Sequence, residues 1–190
     1  MENGKLKKAE KTRRQIENTF FELAMKTPGL LPNVSEICAE MDIYRSTFYN
    51  YYSSVDELVE TVSREIAGEM ERYYNGFSEL GAPNPDNVWN MKNSVGSIVH
   101  FAKKKRRENI VLLNPELNLH YRRDIYDMIA RGVRESLSDA PSGIRENTVV
   151  FMSEGVLAAI YRWLINQDMT VGDFSRFLAR AEHALVDPFL

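Results

Sequence analysis

Residues 44–58 read Tyr44-Arg45-Ser46-Thr47-Phe48-Tyr49-Asn50-Tyr51-Tyr52-Ser53-Ser54-Val55-Asp56-Glu57-Leu58, and residues 33–39 before them read Asn33-Val34-Ser35-Glu36-Ile37-Cys38-Ala39. In the earlier stretch Val34, Ile37, Cys38 and Met41 fall at i, i+3, i+4 and i+7, the period of a helix and not of a strand. A tight turn at Met41-Asp42-Ile43 then leads into a second short helix carrying Arg45 to Tyr52, which is the length and rhythm of a helix-turn-helix. At about 100° per residue, Phe48, Tyr51 and Tyr52 gather on one side of this helix, and Arg45, Ser46, Tyr49 and Asn50 on the other, with Thr47 at the border. One face packs and the other is free. The free face carries the chemistry of DNA reading: Arg45 can donate a bidentate pair to guanine, Asn50 can pair with adenine, and Ser46, Thr47 and Tyr49 offer hydroxyls to phosphate.

The rest of the chain continues the helical period. Ile16, Phe20, Leu23 and Ala24 mark a first helix. Ser54-Val55-Asp56-Glu57 and Asn33-Val34-Ser35-Glu36 each have the form of a capping box, so helices are expected to start at both points. Longer patterns run through Leu58, Val62 and Ile66, through Val88, Met91, Val95 and Ile98, and through Ile125, Met128, Ile129 and Val133. Two closing helices are expected over 144–168 and 171–186. The fold class expected is all-α: three short helices up to about residue 52, then about six more, divided into a DNA-binding unit over 1–53 and a ligand-binding and dimerisation unit over 54–190. Asp42, in a turn after a helix, is the residue expected in the left-handed conformation that Asp tolerates better than most.

Within its 190 residues, 24 are basic and 27 acidic, a formal net charge of −3, which does not describe a protein coated in nucleic-acid-binding charge. The charge is uneven. Residues 1–55 hold 8 basic and 7 acidic groups, and within them residues 1–14 hold six basic and two acidic. Lys8 and Arg13, in that N-terminal stretch, are expected on phosphate, adding sequence-blind affinity. The basic run Lys103–Arg107 reads as a solvated helix end stabilised by the helix dipole, the alternative being a supplementary DNA-facing patch. The single cysteine, Cys38, excludes an internal disulfide and fits a cytoplasmic protein. No uninterrupted apolar run of membrane-spanning length is present in the sequence. No glycine-rich phosphate loop and no His-Glu-x-x-His pair occurs, and Cys38 lies on an apolar helix face, so no catalytic class, cofactor or metal is implied.

Three stretches, Lys11-Thr12-Arg13-Arg14-Gln15-Ile16, Asn33 to Ala39 and Tyr44 to Leu58, are similar to the N-terminal region of the TetR/AcrR family of transcriptional regulators, over roughly residues 8–62. The resemblance implies DNA contacts from Thr47 and Tyr49, base edges read by Arg45 and Asn50, and backbone contacts near Ser35. Tyr44 stands where that family often has a capping Ser and is itself placed to touch DNA. Val55 stands where a phosphate-binding Lys is common, and Met41-Asp42 replaces a frequent Ala-Gly turn. The remainder resembles the family only in length and helical layout.

Tyr73, Phe77, Trp89, His100, Phe101, His120, Tyr121 and Met128 fall on facing helices and can line a cavity for an apolar effector, or simply fill a core. Near the C-terminus Gly155, Ala158 and Ala159 lie beside Trp163, Phe174 and Phe177, and the resemblance implies a four-helix homodimer interface there. The function expected is a ligand-responsive dimeric repressor binding a double-stranded operator. The alternatives are a helical protein-binding adaptor and a transcriptional activator.

Overall fold

The computed structural model describes residues 2–79 and 95–186. Among them are nine α-helices: α1 (Glu2–Lys26), α2 (Val34–Glu40), α3 (Arg45–Tyr49), α4 (Val55–Glu79), α5 (Val95–Lys104), α6 (Arg106–Leu112), α7 (His120–Ser136), α8 (Ser142–Asn166) and α9 (Val171–Val186). A 3-10 turn at Pro115–Leu117 leads from α6 to α7. No strand occurs among the described residues, so the all-α expectation holds.

The Asn33–Glu36 capping box forms, and the Ser54 start forms in a shifted version. The Asn33 side chain accepts from the backbone N–H groups of Ser35 (2.9 Å) and Glu36 (3.1 Å), and the Glu36 carboxylate accepts from the Asn33 N–H (2.7 Å). At the start of α4 the Ser54 hydroxyl accepts from the Glu57 N–H (3.1 Å), while the Glu57 carboxylate reaches one residue further back, to the Ser53 N–H (2.6 Å). The Ser53 hydroxyl, which donates to the same carboxylate at 2.5 Å, and then the Ser53 N–H draw the Glu57 carboxyl below its ordinary range. The patterned apolar residues go where the period sends them. From Ile16 and Phe20 on α1 through Phe48, Leu58 and Ile98 to Trp163 and Leu178, the buried side chains form one contiguous core that runs through both halves of the chain.

α8 is long and apolar enough, by length and composition alone, to cross a membrane. Arg145, Glu146, Glu154 and Arg162 interrupt its apolar run. Its inward positions, among them Val149, Met152, Leu157, Ile160 and Trp163, are buried against the rest of the fold, which is what a core helix requires.

Candidate nucleic-acid interface

Two short helices and a turn position the candidate reading face. α2 ends in a left-handed residue: Asp42 has φ 51, as expected from its place in the turn. The Asp42 N–H donates to the Ala39 carbonyl (3.3 Å) and the Ile43 N–H to the Cys38 carbonyl (3.0 Å), the two bonds of a Schellman motif. This closure turns the chain into α3, whose first N–H bond runs from Thr47 to the Tyr44 carbonyl (2.9 Å). Tyr44 precedes the helix in extended backbone and makes no side-chain cap. α3 is shorter than the pattern suggested. It ends at Tyr49, and Tyr51 and Tyr52 continue as a turn bonded to the Phe48 carbonyl.

The division of faces follows the helical wheel. Phe48 is fully buried and Tyr52 nearly so, whereas Tyr44 is 84% and Tyr49 53% exposed, and Arg45, Ser46 and Asn50 are exposed beside them. Thr47 and Tyr51 are half-buried. Tyr49 is held edge-on against Phe48 with ring centroids 5.8 Å apart, so an exposed ring is braced by a buried one. Arg45 donates to the Ser35 hydroxyl at 2.5 Å, which joins two of the expected DNA-contacting residues across the α2–α3 corner. Cys38 is buried beneath this corner, and burial pushes its thiol up, with Arg45 opposing the shift.

Behind the face lies a network that sequence reasoning missed. Arg13, expected on phosphate, is instead engaged by three carboxylates: Glu65 on α4 at 2.8 Å, Glu17 at 3.2 Å and Glu10 at 3.4 Å. The hydrogen bond to Glu65 is the largest cause of its raised pKa. Glu17 also accepts from the Tyr52 hydroxyl at 2.6 Å, and burial followed by this bond raises the Tyr52 pKa. The signal was present as Glu10, Arg13, Arg14 and Glu17 at three- and four-residue spacing, but the partner on α4 is not adjacent in sequence. Lys8 remains exposed on α1.

Lys103 and Lys104 of the run Lys103–Arg107 fall in the last turn of α5, as expected of a helix end, but the run is more than solvated. Lys105 adopts non-helical dihedrals and breaks α5 from α6, and the flanking cations fan outward. Lys104 lies 5.8 Å from the Tyr73 ring centroid and Lys105 pairs with Glu69 on α4 at 3.0 Å. Lys103 sits over the Trp163 ring at 5.7 Å. Arg107 reaches Asn18 on α1 at 2.8 Å and packs over the Phe21 ring at 5.7 Å.

The chain resembles a solved structure from Syntrophomonas wolfei provisionally assigned as a TetR-family transcriptional regulator, with a TM-score of 0.68 at 11% identity over 95% of this chain and 97% of that one. A provisionally assigned transcriptional regulator from Pseudomonas aeruginosa PAO1 aligns with a TM-score of 0.61 at 13% identity, over 94% and 90% of the two chains. The fold is that of TetR-family regulators. No family model matches the sequence, and no curated protein does.

In this TetR-type fold the expected effector residues that are described line neither of the two cavities found among the described residues. Phe101, Tyr121 and Met128 are buried core, and the Tyr121 hydroxyl donates to Asn109 at 2.7 Å. His100 and His120 are exposed, His100 stacking on the half-buried Tyr73 with centroids 6.0 Å apart. The Phe77 side chain and Trp89 lie outside the described residues. Two cavities occur elsewhere, and none of the six described candidates lines either. One is a polar groove of about 330 Å³ bordered by Arg13, Glu17, Glu65 and Lys105; the other is apolar and lies between α1, α6 and α8.

The expected dimer residues divide. Trp163 and Phe174 are buried and stacked on each other at 4.7 Å, part of the core of one chain. Gly155 and Ala158 are exposed, Ala159 is half-buried and Phe177 is 52% exposed. Ile144, Val150, Phe151 (67% exposed) and Ile165 on α8 are exposed as well. A Cβ added at Gly155 would meet nothing within 4 Å, so packing within the chain does not require glycine there.

Proposed function

We propose that the chain is a dimeric, ligand-responsive transcriptional repressor, with residues 1–53 binding operator DNA and residues 54–190 carrying dimerisation and effector response. The observation that carries this reading is the opposition of faces on α3: Phe48 buried, and Arg45, Ser46, Tyr49 and Asn50 exposed around it. A buried face anchors the helix, and the polar outer face then meets base edges and phosphates in a major groove. Ser35, Tyr44 and Thr47 flank that face, and Lys8 supplies phosphate contact from α1. Arg13 is left out of the contact set, because three carboxylates already claim it.

The outer side of α8 supports self-association. An exposed glycine inside a helix costs roughly 1 kcal/mol against alanine. Without an intramolecular reason for it, close approach of a second copy is the reading we adopt. A two-fold dimer presents its two α3 helices to successive major-groove faces of a pseudo-palindromic site. As a regulator of DNA the protein works in the cytoplasm and needs no cofactor.

The test is fluorescence anisotropy against DNA from upstream of the protein's own gene, over a salt series. A sequence-selective, salt-sensitive complex is expected. Arg45→Ala should flatten base preference, and Lys8→Ala should weaken all sequences alike with a shallower salt slope. Absence of any selective complex would leave a protein-binding helical adaptor as the better account.

A further inference from the structure

The apolar cavity between the C-terminal end of α1 and the α6–α8 layer has a volume of about 170 Å³. Ala24 and Met25 from α1, Ile110 and Val111 from α6, and Ile165 from α8 give it hydrocarbon walls. Arg106, Asn114 and Tyr161 are the polar side chains that line it.

Arg106 differs from its neighbours in the basic run. Lys105 is paired with Glu69 at 3.0 Å, and Arg107 with Glu108 at 3.2 Å and Glu22 at 3.6 Å. Arg106 donates to the Leu164 carbonyl from Nε at 2.8 Å and to the Ile165 carbonyl at 3.5 Å, and no carboxylate among the described residues pairs with it. Its guanidinium has five N–H donors, so most of its donor capacity and all of its charge are unspent. Asn114 is buried and uses its carbonyl oxygen to accept from the Glu116 N–H (3.0 Å), leaving its amide hydrogens without an acceptor among the described residues. The half-buried Tyr161 hydroxyl has no described partner either, and burial, then the nearby Glu116 carboxylate, raise its pKa, which keeps it a donor. Glu116, at the rim against Gly29, does not pair with Arg106.

We propose that this junction cavity binds a small monocarboxylate, its hydrocarbon part against the α1–α6–α8 walls and its carboxylate received by Arg106 with Asn114 and Tyr161. A carboxylate offers acceptors to three donors at once and neutralises a cation that otherwise borders apolar surface. Apolar walls reject sugars and polyphosphates, whose remaining polar groups would go unpaired. The volume is close to the roughly 150 Å³ of a dry cavity that admits benzene, which sets the ligand at one aromatic ring or a chain of about six carbons. Such a ligand would bridge α1 to α6 and α8. Any effect on DNA follows from that bridge and rests on the regulator reading; the binding does not.

The experiment is isothermal titration calorimetry on the full chain without DNA, with benzoate and hexanoate as probes, and benzyl alcohol and 1-hexanol as their uncharged counterparts. One saturable site per chain is expected, at least tenfold tighter for each acid than for its alcohol. Arg106→Gln should remove the preference for acid, and Ile110→Trp, which fills the cavity, should abolish binding of all four. Circular dichroism checks folding. If Arg106→Gln does not fold, because its bond to Leu164 is lost, Tyr161→Phe and Ile110→Trp carry the comparison, Tyr161→Phe weakening the acids selectively. No saturable binding of either acid up to about 10 mM, or binding untouched by Ile110→Trp, would overturn the proposal. A protein that fails to bind DNA yet binds the acids would leave it standing.

Discussion

The Arg13 guanidinium stands 2.8 Å from the Glu65 carboxylate, joining α1 to α4 across 52 residues of sequence. Because the same guanidinium also serves Glu10 and Glu17, the bridge is one edge of a network and not an isolated surface pair. A double-mutant cycle of Arg13→Ala and Glu65→Ala, read by urea unfolding, should give a coupling of about 0.5–1 kcal/mol. The partners are partly exposed, which limits the energy, and the coupling should shrink in 1 M salt.

Neighbouring aromatic residues on α3 should respond in opposite ways. Phe48→Ala empties a fully buried site and should cost about 3–5 kcal/mol. Tyr49→Ala removes an exposed ring and should change stability by no more than about 0.5–1 kcal/mol, while lowering DNA affinity. Thermal melts and anisotropy on the same two variants separate the roles; equal loss of stability in both would contradict the assignment of faces.

Phe151 supplies the test of association. Phe151→Glu places a charge on the outer side of α8, where the wild-type ring is exposed and touches little of its own chain. Light scattering after size exclusion should show a shift from dimer toward monomer, with the circular dichroism spectrum unchanged. A variant that stays dimeric would move the interface elsewhere.

Glu182 on α9 should make stability depend on pH. Burial raises its pKa, with His183 opposing, and one carboxyl oxygen is buried without a hydrogen-bond partner among the described residues. The folded state therefore holds this proton to higher pH than the unfolded state does. Stability is undiminished below the ordinary glutamate pKa, falls as pH rises from there through the raised folded value, and stays lower above it. Glu182→Gln should melt higher than wild type at about pH 8 and coincide with it at about pH 3.5. A constant difference at both pH values would exclude the carboxyl as the cause.

Much of the candidate interface was legible because it is local. The caps at Asn33 and Ser54, the left-handed Asp42 and the buried-exposed alternation of Phe48 and Tyr49 are all decided within a few residues, where period and turn chemistry act. The contacts of Arg13 and of the Lys103–Arg107 run are not legible, for the opposite reason. Charge along the sequence says where cations are, but their partners Glu65, Glu69 and Asn18 arrive from other helices. Aromatic residues posed the third difficulty. Tyr121 and Trp163 obey the same helical period whether they fill a core, wall a cavity or face a partner, and only the packed chain separates those fates.

The basic run at the α5–α6 break has a consequence for how this sequence tolerates change. Its successive side chains answer to α8, to α4 twice, to α8 again and to α1, so what the stretch encodes is an order of directions as much as a number of charges. Exchanging one lysine for arginine preserves that order. Inserting or deleting a single residue would rotate every later side chain by about 100° and send each cation to its neighbour's address. Length, more than composition, is the quantity that these contacts constrain.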